Sequence, residues 1–123
     1  MKEQIRAWIY CRIDAPEDEH GSLKSQKEEL YNYAEQMGIV VTGSSQDTGS
    51  GLEMNRPGLF DALQYAEEGK TDVLLVKRLD LISRDTPKTI ELLQNLKQLG
   101  ISVYSPLEGE IRLEQQTPSF FLR

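Results

Sequence analysis

Residues 5–13, IRAWIYCRI, form the first apolar run of the sequence and are followed at once by Asp14 and a polar segment. The run is almost continuously apolar and rich in β-branched and aromatic residues, as is typical of a strand covered on both faces. Similar runs occur near residues 39–44, 72–77 and 101–105. We therefore predict four parallel strands at these positions.

Helical spacing of apolar residues fills the intervals between the strands. Three such series run from Leu23 to Met37, from Leu59 to Ala66 and from Ile90 to Leu99, and glycines follow them at positions 38, 69 and 100. Strands that alternate with helices through short loops predict right-handed βαβ units. The predicted fold class is α/β, a doubly wound and mostly parallel sheet with helices on both faces.

Length and composition narrow the functional classes. A chain of 123 residues fits one domain, residues 1–123, with one packed interior. The net charge of -6 indicates that any contact with nucleic acid is local, because phosphate affinity comes mainly from lysine and arginine. No segment has the length and apolar character of a membrane helix or a signal peptide, which predicts a cytoplasmic protein without a membrane partner. The single cysteine, Cys11, lies in an apolar run and is expected to be a buried thiol.

Polar residues follow the first three predicted strands, at the edge where such sheets bind ligands. The candidates are Arg12, Asp14, Asp47, Ser50, Arg56, Lys77, Arg78, Asp80, Arg84 and Asp85. Taken singly, each also fits a loop residue, a helix cap or a surface ion pair. Several arginines at one edge suit a phosphate, because guanidinium groups bind its oxygens in pairs and stabilise charge during phosphoryl transfer.

Four segments together resemble the catalytic domain of the serine recombinases, the resolvase and invertase family of site-specific DNA recombinases. They are YCRID (10–14), SLKSQ (22–26), DTGSGLEMNRPGL (47–59) and VLLVKRLDLISRDT (73–86). Residues 100–121 also resemble the family's fourth strand, its hairpin and the start of its long helix. In that family the first strand ends Tyr-x-Arg-Val-Ser, and the serine attacks a DNA phosphate and becomes joined to the 5′ end. The resemblance implies no metal and no nucleotide cofactor.

The resemblance also implies catalytic roles for particular residues. The matching positions are Arg12, Asp14, Gln26, Asp47, Arg56, Asp80 and Arg84. Among them, Arg12, Arg56 and Arg84 are the expected phosphate-binding residues. Asp47 corresponds to the aspartate that opens a mobile loop, so the segment 48–55 is expected to be mobile.

Two positions depart from the family pattern. Asp14 occupies the place of the nucleophilic serine, and Leu81 replaces the arginine that follows the third-strand aspartate. The sequence therefore predicts a serine-recombinase domain that is deficient in strand cleavage. Its expected partners are DNA, contacted through a domain outside this chain, and further copies in a homo-oligomer. The chain itself is expected to end at the start of the long helix.

Three other interpretations stay open at this point. A metal-dependent phosphotransfer or receiver-like domain could hold Mg²⁺ with Asp14, Asp47 and Asp80, because Mg²⁺ favours carboxylate ligands. The domain could instead serve only protein interaction. Ser22 or Ser25 could replace the missing nucleophile, although both have the spacing of helix-capping residues.

Overall fold

The computed structural model describes residues 4–13, 22–48, 57–79 and 86–111. Along the chain lie β1 (Arg6–Ile13), α1 (Ser22–Met37), β2 (Val40–Thr48), α2 (Pro57–Glu67), β3 (Val73–Leu75), α3 (Thr86–Gln98), β4 (Ser102–Ser105) and β5 (Gly109–Ile111). The strands form one sheet in the order β2-β1-β3-β4-β5. The first four are mutually parallel and β5 runs antiparallel to β4. The predicted α/β fold class is confirmed, together with the hairpin that the resemblance implied.

The sheet separates two apolar clusters because successive side chains of a strand point to opposite faces. On one face α1 packs against alternate residues of β1, which are Ala7, Ile9 and Cys11. On the other face α2 and α3 pack against Tyr10, Leu74 and Val103. Helices therefore cover both faces, as predicted. None of the helices in the described part of the chain is long and apolar enough to cross a membrane.

The second strand is longer than the predicted 39–44 and the third is shorter than 72–77. Pairing between β1 and β2 continues to Ile13 and Thr48, so the polar segment SSQDT belongs to the strand. Part of the cause is Ser45, whose hydroxyl accepts a hydrogen bond from Trp8 Nε1 at 2.9 Å. The ladder between β1 and β3, by contrast, ends at the pair Ile9 and Leu75.

An irregularity near the start of β2 places a tryptophan against a glycine. Ala7 pairs with Val41 but Trp8 pairs with Gly43, so the register shifts by one residue as in a β-bulge. The indole also packs on Tyr65, with 4.7 Å between ring centroids. A Cβ atom at position 43 would come within 2.8 Å of the indole Cε3 atom and closer still to Cζ3. Glycine is therefore needed there for steric reasons.

We expect the Gly43→Ala variant to lower the free energy of unfolding by about 1–3 kcal/mol, the usual cost of overpacking. The added methyl group must displace the indole, which is held by Ser45 and Tyr65. Denaturant unfolding measures the change, with Ser44→Ala in the same strand as the matched control. Equal stability of the two variants would show that the indole moves without cost.

Candidate phosphate site at the carboxyl edge of the sheet

The resemblance to the recombinases implies catalytic roles for seven residues. The structure describes three of them, Arg12, Gln26 and Asp47. The others, Asp14, Arg56, Asp80 and Arg84, lie outside the described residues, as does segment 49–55 of the loop that was expected to be mobile. In the sequence, each of the four lies within two residues of a described segment. We therefore build the site from its described part.

Arg12 is the second-last residue of β1, and its side chain is fully buried, with 0% relative exposure. By strand alternation it lies on the same face as Tyr10, towards α2 and α3. Its Cα partner on the neighbouring strand is Asp47. A buried arginine is rare, because removing a charge from water is costly. A cation in such a place interacts with an anion more strongly than a cation at the surface does.

Gln26 projects from α1 onto the backbone of Arg12. Its Oε1 accepts a hydrogen bond from Arg12 N at 3.3 Å, and its Nε2 donates to Arg12 O at 3.0 Å. The side chain itself is buried, at 6% exposure. Since β3 pairs with β1 only as far as Ile9, the amide of Gln26 satisfies backbone groups that have no ladder partner in β3. The Gln26 amide thus holds the backbone of Arg12.

Asp47 joins three elements through its carboxylate. Oδ1 accepts from Gly58 N at 2.9 Å, and Oδ2 accepts from Leu59 N at 3.0 Å and from the Tyr10 hydroxyl at 2.8 Å. Two otherwise unpaired N–H groups at the start of α2 are satisfied in this way. Asp47 therefore fixes the beginning of α2, immediately after Arg56 in the sequence.

Two residues of this arrangement were not singled out from the sequence. Gly58 must lack a side chain, because a Cβ atom there would lie 2.7 Å from Gln46 O and 3.0 Å from each oxygen of Asp47. Tyr10 is fully buried and its hydroxyl reaches Asp47. Two features of the sequence could have identified these residues. Tyr10 lies two residues before Arg12, on the same face of the strand, and Gly58 directly follows the proline that begins α2.

Lys77, one of the ten polar candidates, follows β3 and contacts helix α1. Its Nζ lies 3.7 Å from Glu29 Oε1 of α1, with both side chains about half exposed. Such exposed ion pairs contribute little stability. The Lys77 ammonium group therefore lies beside a carboxylate of α1 without being held there strongly.

Cys11 lies beside Arg12 in the sequence but faces the other way, into the cluster under α1. Burial raises the pKa of its thiol to about 11, against a smaller lowering by the charge of Lys27. The thiol is protonated at neutral pH, and a thiol is a poor nucleophile compared with its thiolate. The expectation of a buried thiol is confirmed.

Known proteins resemble this chain both in sequence and in fold. The family model described as "Resolvase, N terminal domain" matches residues 7–123. The chain belongs to this resolvase family. Two solved structures share its fold: the N-terminal catalytic domain of TP901-1 integrase, and the C-terminal catalytic domain of ISC1926 TnpA, an IS607-like serine recombinase. Each has a TM-score of 0.76 and is 29% identical to this chain. The similarity to the integrase domain covers 85% of this chain and 78% of the integrase chain. The similarity to the ISC1926 TnpA domain covers 82% of this chain and 70% of the TnpA chain.

Resolvases are also found among curated relatives, over shorter stretches. The chain is 37% identical over 68 residues to the transposon Tn552 resolvase of Staphylococcus aureus, covering 55% of this chain and 33% of the relative. It is 36% identical over 66 residues to the transposon Tn3 resolvase of Escherichia coli, covering 54% and 35%. The matched part thus spans about a third of each relative's length.

We expect the resolvase-type domain to lose about 1–3 kcal/mol of stability in the Gln26→Ala variant, because two backbone groups of Arg12 lose their partner. Amide hydrogen exchange at Arg12 should also become faster. Denaturant unfolding and exchange measured by NMR test this, with the exposed Gln36→Ala on the same helix as the control. Unchanged exchange at Arg12 would show that the Gln26 amide does not hold this backbone.

The Asp47→Ala variant should lower stability by about 1–3 kcal/mol, because the start of α2 and the Tyr10 hydroxyl both lose their acceptor. Tyr10→Phe removes only one of the three hydrogen bonds and should cost less. Asp61→Ala, an exposed position on α2, controls for the loss of an acidic residue. If Asp47→Ala and Asp61→Ala unfold at the same denaturant concentration, Asp47 does not stabilise the helix.

Proposed function

We propose that this resolvase-type domain binds a DNA phosphate at the carboxyl edge of its sheet but does not cleave the strand, and that it acts as a non-catalytic member of a DNA recombination system. The observation that carries the proposal is the end of β1. There Arg12 is buried and held by Gln26, while the residue two places further on, at the nucleophile's position, is Asp14. The framework of the site is kept and the attacking group is replaced.

A carboxylate at this position does not replace a serine in the chemistry. Serine attack exchanges one phosphodiester for another, and that ester survives until the strands are rejoined. Aspartate attack would give an acyl phosphate, an activated mixed anhydride. The carboxylate also repels the phosphate it should attack, by about 4 kcal/mol at 4 Å and an effective dielectric constant of 20. That energy corresponds to roughly a thousandfold in rate.

At Leu81 the chain lacks a second group that the family uses, a cationic side chain. In the resolvase family an arginine follows the third-strand aspartate, whereas leucine follows Asp80 here. A cation at that position stabilises the charge that develops on the phosphate during transfer. Loss of one such preorganised group typically lowers the rate by about 10²–10³. Two independent losses favour a non-cleaving role over a single tolerated substitution.

Asp47 weighs against the magnesium alternative. Both of its carboxylate oxygens already accept hydrogen bonds, three in total, so little of the acceptor capacity of Asp47 is left for a metal ion. In the described part of the chain, no group of three metal-binding side chains occurs. Asp14 and Asp80 lie outside that part, so Asp47 carries this argument alone.

Substitute nucleophiles receive little support from the described residues. Ser25 lies inside α1 and is exposed. The Cys11 thiol is buried on the opposite side of β1 from Arg12. Cys11 and helix α1, which carries Ser25, lie on the face of the sheet opposite Arg12, so neither residue is a good substitute for the serine that Asp14 replaces.

The proposed partners follow from the relatives and the charge. The relatives include resolvases and a protein named as a DNA-invertase, so we infer DNA as the partner. Membership of the resolvase family supports a homo-oligomer as the working assembly. A net charge of -6 supports a local phosphate contact, with the main DNA affinity supplied by a domain outside these residues.

The test joins this domain to the long helix and DNA-binding domain of a resolvase and compares four proteins on one recombination-site DNA. These are the parent, Asp14→Ser, Leu81→Arg and the double variant. Because the two residues serve one transition state, their effects are strongly non-additive. Only the double variant should leave a covalent 5′ protein–DNA product on a denaturing gel.

A covalent product from the parent would overturn the proposal. If Asp14→Ser alone matches the double variant, Leu81 is a tolerated substitution and the second loss is not real. Gel-shift binding of all four proteins to the same DNA serves as the control, because a variant that does not bind cannot report on cleavage.

A further inference from the structure

We infer that a cleft between α1 and the end of β4 binds an arginine side chain of a basic protein partner. The described residues that line this cleft belong to α1, apart from one residue that directly follows β4. Because α1 covers the face of the sheet opposite Arg12, the cleft is separate from the proposed phosphate site and the inference does not depend on it.

The shape of the cleft follows from where α1 lies on the sheet. The helix packs on β1, and β4 lies two strands away from β1, so the sheet continues beyond the part that α1 covers. The cleft has a volume of about 390 Å³, within the range of ligand sites. Pro106 forms one wall. The other wall is one side of α1, with residues spaced by three and four: Ser25, Glu28, Glu29, Asn32, Tyr33 and Gln36.

The lining of the cleft favours a cation. Glu28 and Glu29 supply carboxylates, Asn32 and Gln36 supply amide oxygens, and none of the described lining residues carries a positive charge. Carboxylates attract a guanidinium or ammonium group and repel a phosphate. The cleft therefore suits a partner of opposite charge to DNA.

Tyr33 gives the cleft an aromatic surface. It is partly buried and, like Tyr104, packs against the apolar cluster under α1. Burial raises the pKa of the Tyr33 hydroxyl, and Tyr104 raises it further, so this side chain is neutral at pH 7. A guanidinium group can stack on such a ring and bind a carboxylate through two parallel hydrogen bonds. An ammonium group lacks this planar geometry, so arginine should bind more tightly than lysine.

The charge of the chain favours a different protein over a second copy as the partner. The net charge is -6, so two copies repel each other, whereas a basic segment is attracted. Lys77 is the nearest described cation, with its Nζ 3.7 Å from Glu29 Oε1 and both side chains about half exposed. Such a pair is weak, so an incoming arginine can replace Lys77 at Glu29.

The experiment adds three blocked peptides to the 123-residue chain and follows chemical shifts by NMR. The probes are acetyl-Gly-Arg-Gly-amide and its lysine and glutamate counterparts. The arginine peptide should shift the signals of Glu28, Asn32 and Tyr33. It should bind about two- to fivefold more tightly than the lysine peptide, the range that a cation–π contact at an exposed site covers. The glutamate peptide should cause no shifts in the cleft.

Variants test each group of the cleft. Glu28→Gln should weaken binding of the arginine peptide about two- to fivefold, the range of an exposed ion pair. Lys77→Met removes the cation that competes for Glu29 and should tighten binding. Tyr33→Leu should abolish the preference for arginine over lysine, whereas Tyr33→Phe keeps the ring and the preference. Glu91→Gln, exposed on α3, makes the same charge change elsewhere and should bind like the parent.

Several results would overturn the inference. It is wrong if the arginine peptide leaves the cleft signals unshifted, if the lysine peptide binds equally well, or if Glu28→Gln binds no more weakly than Glu91→Gln. Glu28 is exposed, so this comparison stays valid even if Tyr33→Leu does not fold. Shifts of the cleft signals on concentrating the protein without peptide would identify a second copy as the occupant instead. None of these results affects the proposed phosphate site, which lies on the other face of the sheet.

Discussion

The hydrogen bonds of the Asp47 carboxylate hold together the described part of the candidate site. It receives hydrogen bonds from Tyr10 on β1 and from two backbone groups at the start of α2, while lying on β2 itself. Three elements that are distant in sequence therefore meet at one side chain. Arg12 lies opposite Asp47 in the ladder between β1 and β2. The catalytic role that the resemblance implies for Asp47 stays a prediction; its carboxylate joins these three elements.

Side chains replace strand pairing on both sides of the short central strand β3. Gln26 satisfies the backbone of Arg12 beyond the last pair between β1 and β3, and Ser105 with Glu108 holds the chain after β3. Regular pairing would extend the sheet and bury its edge. Side-chain contacts instead keep these backbone groups paired at the carboxyl edge, the edge at which sheets of this kind bind ligands.

The parts that the sequence predicted well are those with a repeating apolar pattern. The fold class, the helices on both faces and the order of elements follow from apolar runs and helical spacing, which report burial directly. The extent of β2 was missed because it is an edge strand, so its polar residues look like a loop. The contact of Gln26 with the Arg12 backbone could not be predicted, because it joins residues 14 positions apart and no local pattern reports it. The catalytic roles that the resemblance implies for all seven matching residues stay predictions.

The apolar cluster under α1 links the state of that helix to the state of the site. Within the described residues, α1 alone among the helices covers this face of the sheet, and the same helix carries Gln26. Lifting α1 would expose Cys11 and release the backbone of Arg12 in a single event. Access of solvent to the sulfur and release of the Arg12 backbone are thus expected from the same local opening of the molecule.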